Sequence, residues 1–276
     1  MHHIRYLSPM VIAVAVAIGC GSGKPQDAAA TTDEQPEAPV QLAQTQTGAA
    51  PAAAATTSAA PAGGGSASVN GSVKFTGTAP APEKVRMDAD PVCKQQHTTP
   101  VLSEEVVVNG NGTLKHVFVY VKEGVAGDFP APAAPVVLDQ HGCWYTPHVF
   151  GIQVNQPLEI VNSDASLHNV NAKPTLNPPF NIAQPAKGMK TQKKFIKPET
   201  GIKFKCNVHP WMSAWGHVLS HPFYSVSNDS GTFTISGLPA GTYTIEAWHE
   251  KYGTQSQQVT VGDGEAKAVD FSFVGQ

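Results

Sequence analysis

Cys206-Asn207-Val208-His209-Pro210-Trp211-Met212 sets a thiol, an imidazole and a thioether within seven consecutive residues. The strand leading into it is legible as well. In Ile202-Lys203-Phe204-Lys205-Cys206 apolar residues alternate with lysines, so Ile202, Phe204 and Cys206 share the inward face of a half-buried β-strand and the sulfur points into the interior. An Asn-Val turn brings His209 back toward the same centre, and Pro210 stiffens the loop ahead of Met212. Upstream, Asn162-Ser163-Asp164-Ala165-Ser166-Leu167-His168-Asn169-Val170 offers a second imidazole, His168, at what reads as a strand end.

Soft sulfur combined with imidazole is a donor set for copper. Two imidazoles and a thiolate in one plane, with a weak axial thioether, suit Cu(I) and Cu(II) alike, so little rearrangement accompanies an electron's arrival or departure. Four side chains at four positions leave no open position of the kind a catalytic metal keeps. That points away from an enzyme. Zinc also accepts Cys and His, but a thioether suits it poorly.

The His168-Asn169-Val170 element and the Cys-x2-His-x2-Met loop resemble those of the cupredoxins, the short loop being most similar to the amicyanin type. The resemblance spans roughly residues 150 to 218. It implies a Greek-key β-sandwich holding one type 1 copper, with His168, Cys206 and His209 as equatorial ligands and Met212 as the axial one. Asn169 matches the family residue whose amide ties the two ligand loops together. The resemblance further implies electron passage through His209, emerging in an apolar patch for which Pro210, Trp211, Pro178, Pro179 and Phe180 are candidates. A redox protein such as a c-type cytochrome or a membrane oxidoreductase is the implied partner.

The N-terminus reads as an export signal over residues 1–19. Arg5 supplies the positive start, and Met10 to Gly19 is apolar but too short to span a bilayer. Ala17-Ile18-Gly19-Cys20 resembles a bacterial lipobox, which implies cleavage before Cys20 and lipidation of that cysteine. Gly21 after it favours the periplasmic face of an outer membrane, or the cell surface. Residues 20–66 are rich in Ala, Thr, Gln, Pro and Gly with almost no large apolar side chains, so no core forms there. As a flexible tether this stretch would hold the folded part about 40 Å from its anchor.

Of the four cysteines, Cys20 is assigned to lipid and Cys206 to copper. An exported, oxidising setting favours a disulfide between the remaining Cys93 and Cys143. A competing reading is a second metal set from His141, Cys143 and His148, which crowd into Gln140-His141-Gly142-Cys143-Trp144-Tyr145-Thr146-Pro147-His148.

The remaining pattern predicts an all-β chain. Val106-Val107-Val108 and the run Leu114 to Val121 flank Asn109-Gly110-Asn111-Gly112, a hairpin signal. Phe150, Ile152 and Val154 alternate, and Leu158 and Ile160 follow the Gln156-Pro157 turn. Residues 67–222 are expected to form the copper-binding sandwich with an N-terminal elaboration. Residues 223–276 alternate apolar and Thr side chains around Leu238-Pro239-Ala240-Gly241 and resemble the carboxypeptidase regulatory-like, transthyretin-like β-module. That stretch has too few strands for a full module, so Val69 to Thr76 or Val218 to Ser225 is expected to complete its sheet.

Net charge is −3, yet eight of the eighteen basic residues fall between Lys173 and Lys205, where Glu199 is the sole acid. Such a basic segment suits an acidic partner face or merely solvates the outward side of strands. An exported, net acidic chain gives no expectation of nucleic-acid binding. Two rival functions follow from the same residues: a copper-binding or copper-delivery lipoprotein, and a copper enzyme adding His217, His221 and His249. The first is weakened by only five methionines in the chain, and the second by spacings that match no ligand motif.

Overall fold

The computed structural model describes residues 64–275. The expected signal peptide, Cys20 and nearly all of the tether lie outside the described residues. The described chain is all-β apart from one short helix, as the sequence predicts. In order it forms β1 (Ala67–Thr76), α1 (Pro91–Gln95), β2 (Phe118–Glu123), β3 (Val136–Gln140), β4 (Tyr145–Thr146) and β5 (Val149–Gln153). Next come β6 (Leu158–Asn162), β7 (His168–Ala172), β8 (Phe180–Gln184), β9 (Lys190–Lys193), β10 (Glu199–Lys205) and β11 (Ser213–Leu219). The last six are β12 (Tyr224–Val226), β13 (Thr232–Leu238), β14 (Gly241–His249), β15 (Gly253–Val261), β16 (Ala266–Ala268) and β17 (Phe271–Val274).

Two sheets, ordered β5-β11-β10-β7-β8 and β4-β3-β6-β9, face each other across one core. Phe150, Ile152, Val170, Ile202, Phe204, Ala214 and Val218 come from the first sheet, and Leu138, Tyr145, Leu158 and Ile160 from the second. Gly216 lets this core close. A Cβ there would stand 2.7 Å from Phe204 and 2.9 Å from Phe150, inside van der Waals contact. Strand β5 is buried on both faces, because Phe150 and Ile152 enter this core while Val149 joins Phe118, Tyr120 and Leu219 in a second cluster. A strand buried on both sides need not alternate with polar residues.

The other two sheets redraw the boundary expected at residue 222. Strand β1 pairs with β13, β16 and β17, and β2 lies between β12 and β14. Ala67, Val69, Val73 and Phe75 of β1 and Val119 and Val121 of β2 share a core with Phe233, Ile235, Tyr243, Ile245, Phe271 and Phe273. Strands β1 and β2 are therefore not an elaboration of the metal-binding sandwich, whereas the segment between them that carries α1 packs into that sandwich through Met87 and Cys93. The two strands are the missing half of the C-terminal sandwich, whose late strands alone have too little facing surface to bury their inward aromatics. The completion expected from Val69 to Thr76 occurs through β1, whereas of Val218 to Ser225 only Tyr224 and Ser225 join the C-terminal sheet, through β12, while Val218 and Leu219 pair with β5.

The predicted hairpin is reduced to a turn. Asn109 N–H donates to Thr113 O and Gly112 N–H to Asn109 O, but the ladder beyond is a single bridge between Val108 and Leu114. Leu114 gives its N–H to Val73 O at 2.8 Å instead. Strand β1 thus captures the residues that a longer hairpin needed.

Candidate metal centre

Burial along β10 alternates as the sequence predicts, with Ile202 and Phe204 inside and Lys203 and Lys205 outside. Cys206 leaves the strand still pointing inward and is 2 % exposed. The loop then folds over the sulfur: His209 N–H reaches Cys206 Sγ at 3.4 Å, Met212 N–H donates to His209 O at 2.9 Å, and Cys206 N–H donates to Met212 O at 3.2 Å. His168 opens β7, which adjoins β10. The Asn169 side chain links the two ligand segments, its Oδ1 accepting Asn207 N–H at 2.7 Å.

The arrangement brings His168, Cys206 and His209 together, each with a ligand atom within 4.8 Å of the others. The two Nδ1 atoms stand 2.9 Å apart, and His209 Nδ1 is 3.8 Å from Cys206 Sγ. Met212 is fully buried in the same core cluster as Cys206.

Each imidazole is held from behind by a carboxylate. His168 Nε2–H donates to Asp164 Oδ2 at 2.9 Å, and His209 Nε2–H donates to Asp90 Oδ2 at 2.9 Å. Asp164 is fixed in turn by the N–H groups of Gly142 and Cys143. The other oxygen of Asp90 caps α1 through Val92 and Cys93 N–H. Carboxylates that occupy both Nε2 positions leave both Nδ1 lone pairs facing inward, the pattern that orients histidine ligands toward a metal.

The electrostatics fit a cation at that point. Burial opposes ionisation of Cys206, but His168 and backbone N–H groups outweigh it and bring the thiol pKa down to about 6. Burial likewise disfavours a charged His168, yet Asp164 and the Cys206 thiolate raise its pKa to about 9. Soft sulfur, two imidazoles and a buried thioether form a donor set suited to copper.

Several expectations are corrected. His209 does not emerge through an apolar patch: it is 2 % exposed, covered by Asp90 and by Cys93, whose Sγ lies 3.6 Å from Nε2. Trp211 packs on the His209 ring, 5.1 Å between centroids, and gives its Nε1–H to Cys143 O. Phe180 packs against Phe195 and Phe204 instead of joining a patch at His209. The disulfide expected between Cys93 and Cys143, by contrast, is present.

The alternative set of His141, Cys143 and His148 does not assemble. The His141 side chain is exposed, Cys143 is in the disulfide, and His148 pairs with Glu250 and Ser213 O. His217, His221 and His249 lie apart, the first two stacked on Phe118 and Phe223 and the third tilted against Tyr252. Sequence reasoning missed both carboxylates. Asp164 had a faint signal, four residues before His168 in the quoted loop; Asp90 had none, lying 119 residues from His209.

Comparison with known proteins places the C-terminal part. Residues 219–274 match the carboxypeptidase regulatory-like domain family. No curated protein matches the chain. Among solved structures, a copper-containing nitrite reductase from Thermus scotoductus SA-01 is similar at 25 % identity and TM-score 0.30, over 35 % of this chain and 25 % of that one. This chain therefore spans about a quarter of that reductase. An amicyanin in its Cu(I) form is similar at 20 % identity and TM-score 0.28, over 38 % of this chain and 99 % of its own. A purple cupredoxin from Nitrosopumilus maritimus follows at 20 % identity and TM-score 0.27, over 31 % and 99 %.

Proposed function

We propose that this protein carries single electrons through one copper ion held by His168, Cys206, His209 and Met212. The observation that carries the reading is the convergence of two inward-facing Nδ1 atoms and the Cys206 sulfur, each imidazole locked from behind by an aspartate. Copper in such a set cycles between Cu(I) and Cu(II) with little change of geometry. The chain's own contribution is rigidity. Asp164 and Asp90 keep both rings from turning, Asn169 ties β7 to the loop after β10, and burial of all four side chains excludes water. Burial also disfavours the delivery reading, since ligands that hand a metal on need to be reachable.

The N-terminal pattern supports an exported carrier, lipidated at Cys20 on the periplasmic face of an outer membrane or at a cell surface. Its partner would be a redox protein, with the basic stretch Lys173 to Lys205 favouring an acidic face. The deciding experiment loads the full chain with Cu(II) and follows visible absorption and electron paramagnetic resonance before and after ascorbate. An intense blue band with narrow copper hyperfine splitting that bleaches reversibly is expected. A pale, ordinary Cu(II) spectrum would refute the carrier.

A further inference from the structure

A second donor set lies on the far side of the His209 ring. Nδ1 faces His168 and Cys206, whereas Nε2 faces Asp90 Oδ2 at 2.9 Å and Cys93 Sγ at 3.6 Å. Cys93, Cys143 and His209 each bring a ligand atom within 4.8 Å of the others, and all three are buried. In the described structure the two sulfurs are bonded to each other, and a neutral disulfide sulfur is a weak donor beside a thiolate. Reduction reverses this. A dithiol reductant supplies two electrons and two protons, the Cys93–Cys143 bond breaks, and the reductant leaves as its own disulfide.

We propose that the reduced protein holds a tetrahedral d10 cation, with Zn(II) as the representative, at Cys93, Cys143, His209 Nε2 and Asp90. Two thiolates, an imidazole and a carboxylate make a closed four-ligand zinc set. Binding displaces both thiol protons, and the Nε2 proton that Asp90 now accepts moves to Nδ1. A neutral imidazole offers only one lone pair, so the two faces of His209 compete. The oxidised chain presents Nδ1 to the Cys206 side and the reduced chain presents Nε2 to the Cys93 side. The state of the disulfide selects which side of one ring can hold metal.

The reductant has a way in. Between residues 78 and 105 only Met87 and Cys93 are buried, so the segment carrying α1 is anchored by few apolar contacts and belongs among the parts that open locally at low cost. The inference does not depend on copper occupying the other side, because it uses neither Cys206 nor Met212.

The test uses the full chain carrying Cys20→Ser and Cys206→Ser, which leaves Cys93 and Cys143 as its thiols, with Co(II) as the probe for Zn(II). The oxidised protein is expected to show no thiolate-to-cobalt band. After reduction by a phosphine, which leaves as its oxide with oxygen from water, it should bind one Co(II) with that band and intense tetrahedral absorption, displaced by stoichiometric Zn(II). Adding Asp90→Ala or His209→Ala should weaken binding on the order of tenfold or more. The inference is overturned by a reduced protein that binds no cobalt, by binding indifferent to both added substitutions, or by a β-sheet circular dichroism lost on reduction and not restored by metal. Because Cys206 is absent throughout, none of these results bears on the carrier reading.

Discussion

His168 and His209 each spend one ring nitrogen on an aspartate and turn the other toward Cys206. Replacing Cys206 by Ser is expected to abolish the blue charge-transfer band of the copper-loaded chain while its β-sheet circular dichroism persists. An unchanged band would remove Cys206 from the ligand set. Asp90→Asn keeps the shape of the side chain but weakens its acceptance of the His209 proton, so copper should pass to a chelator on the order of tenfold faster, with the blue band retained. Equal release rates in variant and parent would make Asp90 a helix cap only. At this scale the meeting of Cys206 with His209 was legible, because both sit in one loop and alternation fixes where the sulfur points. Their supporting carboxylates were not. Asp90 reaches the site only through tertiary folding, and nothing near it in sequence announces an imidazole partner.

Among the elements, β10 and β11 set the site's shape, because their pairing places Phe204 beside Ala214 and opens the loop that Cys206 begins. Gly216 faces Phe204 and Phe150 with no room for a methyl group. Gly216→Ala should lower stability by about 1–3 kcal/mol through overpacking, read as a smaller urea midpoint at unchanged slope. An unaltered midpoint would mean that the two rings yield freely. Alternation made β10 readable, and the turn chemistry of Asn109 to Gly112 located a real turn. Both signals are local. What they could not foretell is that Leu114 would pair with β1, or that β5 would be buried on both faces, since such choices depend on which distant strand arrives alongside.

Across the whole molecule the same reasoning explains why the expected boundary at residue 222 does not divide the cores: the C-terminal sandwich is assembled from both ends of the folded chain, with the metal-binding sandwich inserted between β2 and β12. The cluster joining them holds buried imidazoles. His217 accepts Gly201 N–H at Nδ1, stacks on Phe118 at 4.0 Å and meets Trp248 edge-on, with no charged neighbour. Burial depresses its pKa to about 3. Burial also lowers His249 to about 4; Glu250 and Glu105 oppose the shift, while His116 and His148 add to it.

Both groups stay neutral in the folded state at pH values where the unfolded chain takes up protons near 6.5. Their stabilisation is therefore complete above about pH 6.5 and falls as the pH drops toward the folded values. Each contributes a slope of at most about 1.4 kcal/mol per pH unit, and with the unfolded imidazoles only partly protonated at pH 6 the pair should remove about 2 kcal/mol between pH 6 and pH 5. His116 and His221, lowered by burial as well, add to the loss in the same window. The lowered carboxylates, Glu104 and Glu250 among them, lose their contribution below their ordinary range. The Cys206 and His168 shifts act above pH 6. Urea midpoints at pH 6 and pH 5 read the slope directly, and His217→Phe should lower it by about 1 kcal/mol per pH unit by removing one of these imidazoles while keeping a ring against Phe118. A slope that is flat in the parent, or unchanged in the variant, would show that the buried imidazoles do not govern acid stability.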